Sequence, residues 1–165
     1  MASGDTLVVF TAQNNVPPSS NYATLDTRNL HLVLDFDAGT DESAVFKNVM
    51  PRHYAGTTGV TVYIHWSASG VTTGNCIWDV AWERIGDGQQ DTDSDGFAAV
   101  NSVTDAAPGT DGHVTIANVT FTDGADMDSV GVGESFRLKI TRDADNASDT
   151  MAADAELHAV EIKET

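Results

Sequence analysis

The chain has 165 residues, of which 25 are acidic and 8 are basic, so its formal charge at pH 7 is -17. This length fits one domain with its own hydrophobic core, and the negative surface argues against nucleic acid and anionic membranes as partners because it repels phosphate groups. The only cysteine, Cys76, excludes an internal disulfide and a cysteine-rich zinc site. We expect Cys76 to be a buried apolar residue.

The first 28 residues combine one apolar run with a proline-containing linker, "NNVPPSSN". No basic region or long apolar stretch directs export, so we expect synthesis in a cytoplasm. The run contains Leu7, Val8, Val9 and Phe10 without a charge, which makes it a poor solvent-facing edge, and we expect it to be buried. Residues 1–28 are either an N-terminal arm that contacts a neighbouring subunit or the first strand of the domain at 29–165. We favour the arm, within a homotrimer.

The remaining apolar residues alternate with a period of two, which is typical of β-strands. In "GVTVYIHWSAS" the side chains of Val60, Val62, Ile64 and Trp66 share one face, and "NLHLVLDF" and "GNCIWDVAWERI" alternate in the same way. Six further segments bring the count to about nine: "TLVVFTA", "SAVFKNVM", "FAAVNSV", "HVTIANVTFT", "SFRLKITR" and "AELHAVEIK". Loops rich in Gly, Asp and Pro separate them, and no segment has helical periodicity. The pattern predicts an all-β protein, a jelly-roll sandwich of about eight antiparallel strands with an N-terminal arm or extra strand.

One loop, "DTDSDG" at 91–96, begins like a calcium-binding loop because Asp91, Asp93 and Asp95 alternate before a glycine. An EF-hand needs flanking helices and a glutamate at the twelfth position, which here is Ser102. The loop instead joins two predicted strands. We therefore favour a solvated acidic loop and no cofactor, with calcium held by the three aspartates as the open alternative.

No catalytic signature is present in the sequence. There is no GxSxG elbow, no phosphate-binding loop and no histidine pair at a metal-binding spacing, and no serine has an evident base. The carboxylate pairs Asp35 with Asp37 and Asp143 with Asp145 are expected from the acidic composition alone. We therefore expect a protein that is not an enzyme.

The aromatic residues allow two interpretations. Trp66, Trp78 and Trp82 lie on the inferred inward faces, where packing between two sheets is the favoured role. Tyr63 is inferred to point outward, and with Tyr54 and His65 it could form a platform on which a sugar ring stacks. Core packing is the preferred reading of the tryptophans, and the platform stays open.

Two segments resemble small virion proteins of tailed bacteriophages. The first is "GTDESAVFKNVMPRHYAGTTGVTVYIHWSA" at 39–68, followed by "GNCIWDVAWERI"; the second is "GESFRLKITRDADNASDTMAADAELHAVEI" at 133–162. The resemblance covers about 39–162 and consists of strands and turns without a catalytic motif. It implies a jelly-roll capsid decoration protein, or cement protein, that binds the major capsid protein on the outer surface of the phage head, often as a trimer.

A second hypothesis comes from another class of protein. Jelly rolls commonly present sugar sites on a sheet face or at loop ends, so the chain could be a carbohydrate- or receptor-binding module, such as part of a phage tail or fibre. Glycan binding separates the two hypotheses, since a decoration protein should show no preference among saccharides.

Overall fold

In the computed structural model, which describes residues 4–165, two antiparallel β-sheets pack face to face. The described residues contain ten strands: β1 Thr6–Thr11, β2 Thr24–Arg28, β3 His31–Phe36, β4 Glu42–Val49, β5 Val60–Ala68, β6 Asn75–Ile85, β7 Asn101–Ala106, β8 Thr115–Phe121, β9 Ser135–Arg142 and β10 Ala155–Glu164. Two single-turn 3-10 helices lie at Ala12–Asn14 and Ala125–Met127. Within residues 4–165 no helix has the length and apolar character needed to cross a membrane. The predicted all-β jelly-roll sandwich is confirmed.

The first sheet, sheet A, has the strand order β2-β3-β10-β5-β8, and the second, sheet B, has the order β4-β9-β6-β7. The strand β1 also belongs to sheet A, because it pairs with β10. One edge of β10 is shared: β3 pairs with Ala155–Leu157, and β1 pairs with the part of β10 that follows. The end of β3 nearest His31 therefore has no partner in β10.

The core lies between the sheets and is filled by the inward residues of the alternating pattern. Trp66, Trp78 and Trp82 are fully buried there, which confirms the packing role favoured for them. Trp66 and Phe36 both meet the Trp78 ring edge-on, with centroids 5.8 and 5.1 Å away. Such aromatic pairs contribute about 0.5–1.5 kcal/mol each beyond the burial of their area. They tie the two sheets together.

The apolar run near the N-terminus is a strand of this sandwich. Leu7, Val8 and Phe10 are buried, as expected, whereas Val9 is exposed on the outer side of β1. The Phe10 ring stacks on that of Phe46 from sheet B, with centroids 5.0 Å apart. The first-strand alternative is thus the one the chain adopts, because β10 offers β1 a free edge within the same molecule.

Residues 1–28 also contain a strand that the sequence pattern did not predict. The strand β2 pairs with β3 along its whole length, through a two-residue turn at Asn29 and Leu30. The predicted division at residue 28 falls inside this hairpin, so the described part of 1–28 belongs to the same sandwich as the rest. The strand was missed because "TLDTR" is short and polar, and none of its residues is buried.

Candidate functional site

In the loop at 91–96, aspartate side chains accept hydrogen bonds from backbone amides of the same loop. The Asp91 carboxylate accepts a hydrogen bond from the Asp93 amide at 3.0 Å, and Asp95 accepts one from the Gly96 amide at 2.9 Å. All three aspartates are exposed, and they are not among the residues whose carboxylates converge on one point. The loop has no preformed set of three ligands, and calcium binding by it stays a prediction.

Three carboxylates do converge elsewhere. Oxygens of Asp41, Asp143 and Asp145 all lie within 4.8 Å of one another. The Asp145 amide donates to Asp41 at 3.1 Å, and the charge of Asp41 raises the pKa of the Asp145 carboxyl. Calcium prefers such oxygen ligands, so the chain contains an acidic site compatible with calcium. The sequence pairs Asp143 with Asp145 but not with Asp41, which the fold brings from the loop before β4.

The three-residue aromatic platform suggested by the sequence does not form. Tyr54 is buried, and its hydroxyl donates to Asp123 at 2.9 Å. Burial is the first cause of a raised pKa for this hydroxyl. Tyr63 does lie on the outer face of sheet A, half-buried, with the Lys163 ammonium 5.7 Å from its ring centroid. His65 is its neighbour on the same face of β5, so two of the three residues share a surface.

The β2–β3 hairpin lies over this outer face, and Arg28 at its end anchors it. Its Nη1 atom donates to the Ala68 carbonyl at 2.8 Å and to the carboxylate of Glu156, which is buried on the outer side of β10. Its Nη2 atom donates to Asp111 at 2.7 Å, in the loop between β7 and β8. Hydrogen bonds to both acids raise the pKa of Arg28, so the guanidinium is charged at any pH at which the fold exists.

The anchor continues as a chain of hydrogen bonds into the sheet. Ser67 Oγ lies 2.8 Å from Glu156 Oε2 and 2.8 Å from Nε2 of His158. Burial is the main cause of a lowered pKa for His158, with His31, Arg28 and His65 acting in the same direction and Glu156 opposing them. The imidazole is therefore neutral near pH 7.

The structure thus brings a serine and a histidine within hydrogen-bonding distance, a pair that sequence reasoning did not find. Ser67 and His158 are 91 residues apart in the chain and carry no local motif. Nucleophilic catalysis needs an accessible serine and a carboxylate that orients the histidine from its other nitrogen. Here Ser67 is completely buried, and Glu156 accepts from the serine. The pair is a structural element of the sheet face, not a catalytic dyad.

Two open cavities flank the hairpin, with volumes of about 410 and 400 Å³. His31 and His158 line both cavities. The first is otherwise lined by Thr11, Ala12, Gln13, Leu30 and Leu32, and the second by Arg28, Asn29, Gly112 and Val114. We call the two cavities together the hairpin groove. Their lining contains no Asp or Glu, although the chain has 25 acidic residues.

The tip of the hairpin carries an unusual leucine. Leu30 is 94% exposed, and its backbone has a φ of 67°, a left-handed conformation that favours Gly and Asn over a bulky side chain. Such a conformation costs about 1 kcal/mol or more, and full exposure of the side chain gives no packing in return within this chain. An apolar side chain held at the rim of a groove is a candidate contact for a ligand.

Comparison with known proteins supports the fold assignment. No family model matches the sequence, and no curated protein matches it. Among solved structures, the chain is similar to a family 35 carbohydrate-binding module from an environmental isolate, at 12% identity and a TM-score of 0.52, over 94% of this chain and 92% of the other. It is also similar to the carbohydrate-binding module CBM36 in complex with calcium and xylotriose, at 12% identity and a TM-score of 0.51, over 94% of this chain and 99% of the other. At this identity the likeness shows a shared sandwich fold.

Proposed function

We propose that the protein is a non-catalytic glycan-binding module and that the hairpin groove is its binding surface. The observation that carries the proposal is the lining of the groove, which pairs apolar side chains with hydrogen-bonding groups, contains no carboxylate, and has Arg28, already paired with Glu156 and Asp111, as its one charged group. A sugar ring needs both, since its C–H faces pack on apolar surface and its hydroxyls need donors and acceptors. Leu30, Leu32 and Val114 supply the apolar part, and the histidines with Gln13 and Asn29 supply the polar part.

The fold supports this choice over the other sequence hypothesis. Two carbohydrate-binding modules share the sandwich, and the chain aligns with nearly their full length. The lining also fits binding without cleavage, because glycoside hydrolysis uses a pair of carboxylates on either side of the scissile bond. Neither cavity of the groove is lined by a carboxylate.

Binding can be tested with an oligosaccharide panel that contains neutral xylo-, manno-, gluco- and galacto-oligosaccharides together with uronate- and sulfate-bearing ones. Hits are then measured by isothermal titration calorimetry with the wild type and with Leu30→Asn. Asparagine tolerates the left-handed backbone, so this variant removes the apolar contact without adding strain. We expect it to fold and to bind about 5–10-fold more weakly, the loss of roughly 1 kcal/mol for a partly buried leucine.

A matched control is Val132→Asn, which removes an exposed apolar side chain from a turn outside the groove. It should bind as the wild type does. A wild-type protein that binds no member of the panel would reject the glycan function, and equal losses in the two variants would reject the groove as its site.

The decoration-protein hypothesis stays a prediction. It rests on the sequence resemblance, which implies the major capsid protein and further copies of the chain as partners. The strand that was to reach a neighbouring subunit is used within the chain. No structural observation favours the decoration function over glycan binding.

A further inference from the structure

The hydrogen-bond chain beneath the groove decides which atom His158 presents to a ligand. Glu156 Oε2 accepts a hydrogen bond from Arg28 Nη1, which is always a donor, and also lies 2.8 Å from Ser67 Oγ. A carboxylate has no proton to give, so the contact at 2.8 Å is favourable only if Ser67 donates its single proton to Glu156. The serine oxygen must then accept from its other neighbour.

That neighbour is Nε2 of His158, 2.8 Å away. Since the hydroxyl proton of Ser67 is donated to Glu156, Nε2 of His158 must carry a hydrogen and donate it to Ser67. In a neutral imidazole only one nitrogen is protonated, so Nδ1 carries a lone pair. Arg28, Glu156 and Ser67 together therefore select one tautomer of His158.

The other nitrogen is available to a ligand. Within residues 4–165, Nδ1 of His158 makes no hydrogen bond, and it is not among the buried polar atoms that lack a partner, so it reaches solvent. The ring that carries it lines both cavities of the groove. Because the opposite nitrogen is bonded to the sheet, the ring cannot turn without breaking the chain of hydrogen bonds.

We infer that His158 presents Nδ1 to the hairpin groove as a fixed hydrogen-bond acceptor, so that the groove selects neutral glycans that donate a hydroxyl there and discriminates against carboxylate- or sulfate-bearing ones. The ligand class rests on the glycan-binding function proposed above. An anionic oxygen has no proton for Nδ1 and would meet lone pair with lone pair. Arg28, the cation of the lining, already pairs with Glu156 and Asp111, and the net charge of -17 disfavours anionic ligands in addition.

Protonation reverses the role of the atom, because Nδ1 of an imidazolium is a donor. The groups that face His158 are Glu156 on its own strand, Arg28 on β2, His31 on β3 and His65 on β5, with Asp111 behind Arg28. Arg28, His31 and His65 disfavour protonation of His158. Glu156 favours it but is already hydrogen-bonded to Arg28 and Ser67. Glycan binding should therefore be constant at neutral pH and weaken as the solution becomes acidic, up to about tenfold per pH unit below the pKa of the free ring.

The tautomer is tested first, on the ligand-free wild type, by long-range ¹H–¹⁵N NMR at pH 7.5. We expect the His158 pattern of a protonated Nε2 and a bare Nδ1; the opposite tautomer overturns the inference. Ser67→Ala should leave the ring neutral but without its selected tautomer. In that variant the NMR pattern should move towards a mixture of the two tautomers.

Binding is tested by calorimetry between pH 5 and 8 with the tightest neutral hit of the panel. We expect Kd to rise on acidification in the wild type and in His53→Gln, which alters an exposed histidine outside the groove. His158→Gln should flatten the pH dependence, with circular dichroism as the check that it folds. A pH-independent wild-type Kd, or a preference for acidic glycans, overturns the inference but leaves glycan binding standing; no binding at all overturns both.

Discussion

Asp35 should be a source of instability at neutral pH, and its replacement should stabilise the protein. It lies on β3, in register with Thr24 on one side and Glu156 on the other. Its Oδ1 atom is buried without a hydrogen-bond partner. Burial raises the pKa of this carboxyl from 3.8 to about 6, with further contributions from four nearby acids, Asp154, Glu156, Asp26 and Glu42.

The magnitude follows from the linkage between pKa and stability. The folded state holds the Asp35 proton more tightly than the unfolded state, so the favourable contribution of the neutral acid is complete below the unfolded pKa and is lost as pH rises through about 6. A shift of roughly two pH units corresponds to about 3 kcal/mol. Solvent screening at this partly exposed position reduces the figure to about 1–2 kcal/mol.

The variant Asp35→Asn keeps the shape and removes the charge. Thermal unfolding in EDTA should show a melting temperature about 3–6 °C higher than that of the wild type at pH 8, since 1 kcal/mol is worth about 2–4 °C in a domain of this size. The gain should vanish near pH 4, where both forms are neutral. The control Asp26→Asn removes an exposed charge from the neighbouring strand and should change the melting temperature by less than half as much. A loss of stability at pH 8, or an equal gain at pH 4 and pH 8, would refute the reasoning.

Three further predictions concern the core. Arg142 is completely buried, pairs with Asp149 through two hydrogen bonds of 2.9 and 3.0 Å, and donates to three backbone carbonyls. Arg142→Ala should therefore lower the free energy of unfolding by about 3–5 kcal/mol in urea titrations, and a measured decrease below about 1 kcal/mol would contradict this. Burial raises the pKa of the Cys76 thiol, so a thiol reagent should label it only after unfolding, and rapid labelling of the native protein would be the contrary result. Deleting residues 1–13 removes β1 and the buried Phe10, so circular dichroism should show that the truncated chain is unfolded. If the truncated chain instead stays folded but no longer forms the trimers that the full chain forms, the arm hypothesis would be restored.

The strands were largely predictable because their signal is local. Side chains on a strand alternate between two faces, so a run such as that from Val60 to Ala68 reveals both the strand and its inward face. Burial of the tryptophans follows from the same alternation. The boundary of β7 was less visible: the predicted run begins at Phe97, but the strand begins at Asn101. The Phe97 ring instead lies against Arg137 and Lys139, 5.0 and 4.8 Å from their charged ends.

The candidate site could not be predicted in the same way. Its histidines share no sequence motif, since His31, His65 and His158 lie on three different strands. Their meeting depends on β10 lying between β3 and β5, and on the hairpin tip folding over the sheet. The Leu30 conformation has no sequence signal either, because Gly usually occupies the second position of such a two-residue turn, although Asn29 suits the first.

The amino-acid sequence by itself determined that this protein is a single all-β sandwich with a tryptophan-rich core and an acidic surface. Those properties depend on alternation and composition, which need no knowledge of what pairs with what. The tertiary structure decided which edge each strand occupies, and in particular that β1 and β3 divide one side of β10. That division places Arg28 over Glu156, Ser67 beneath His158 and a groove between them, because strand pairing brings together side chains that lie up to 128 residues apart in the chain.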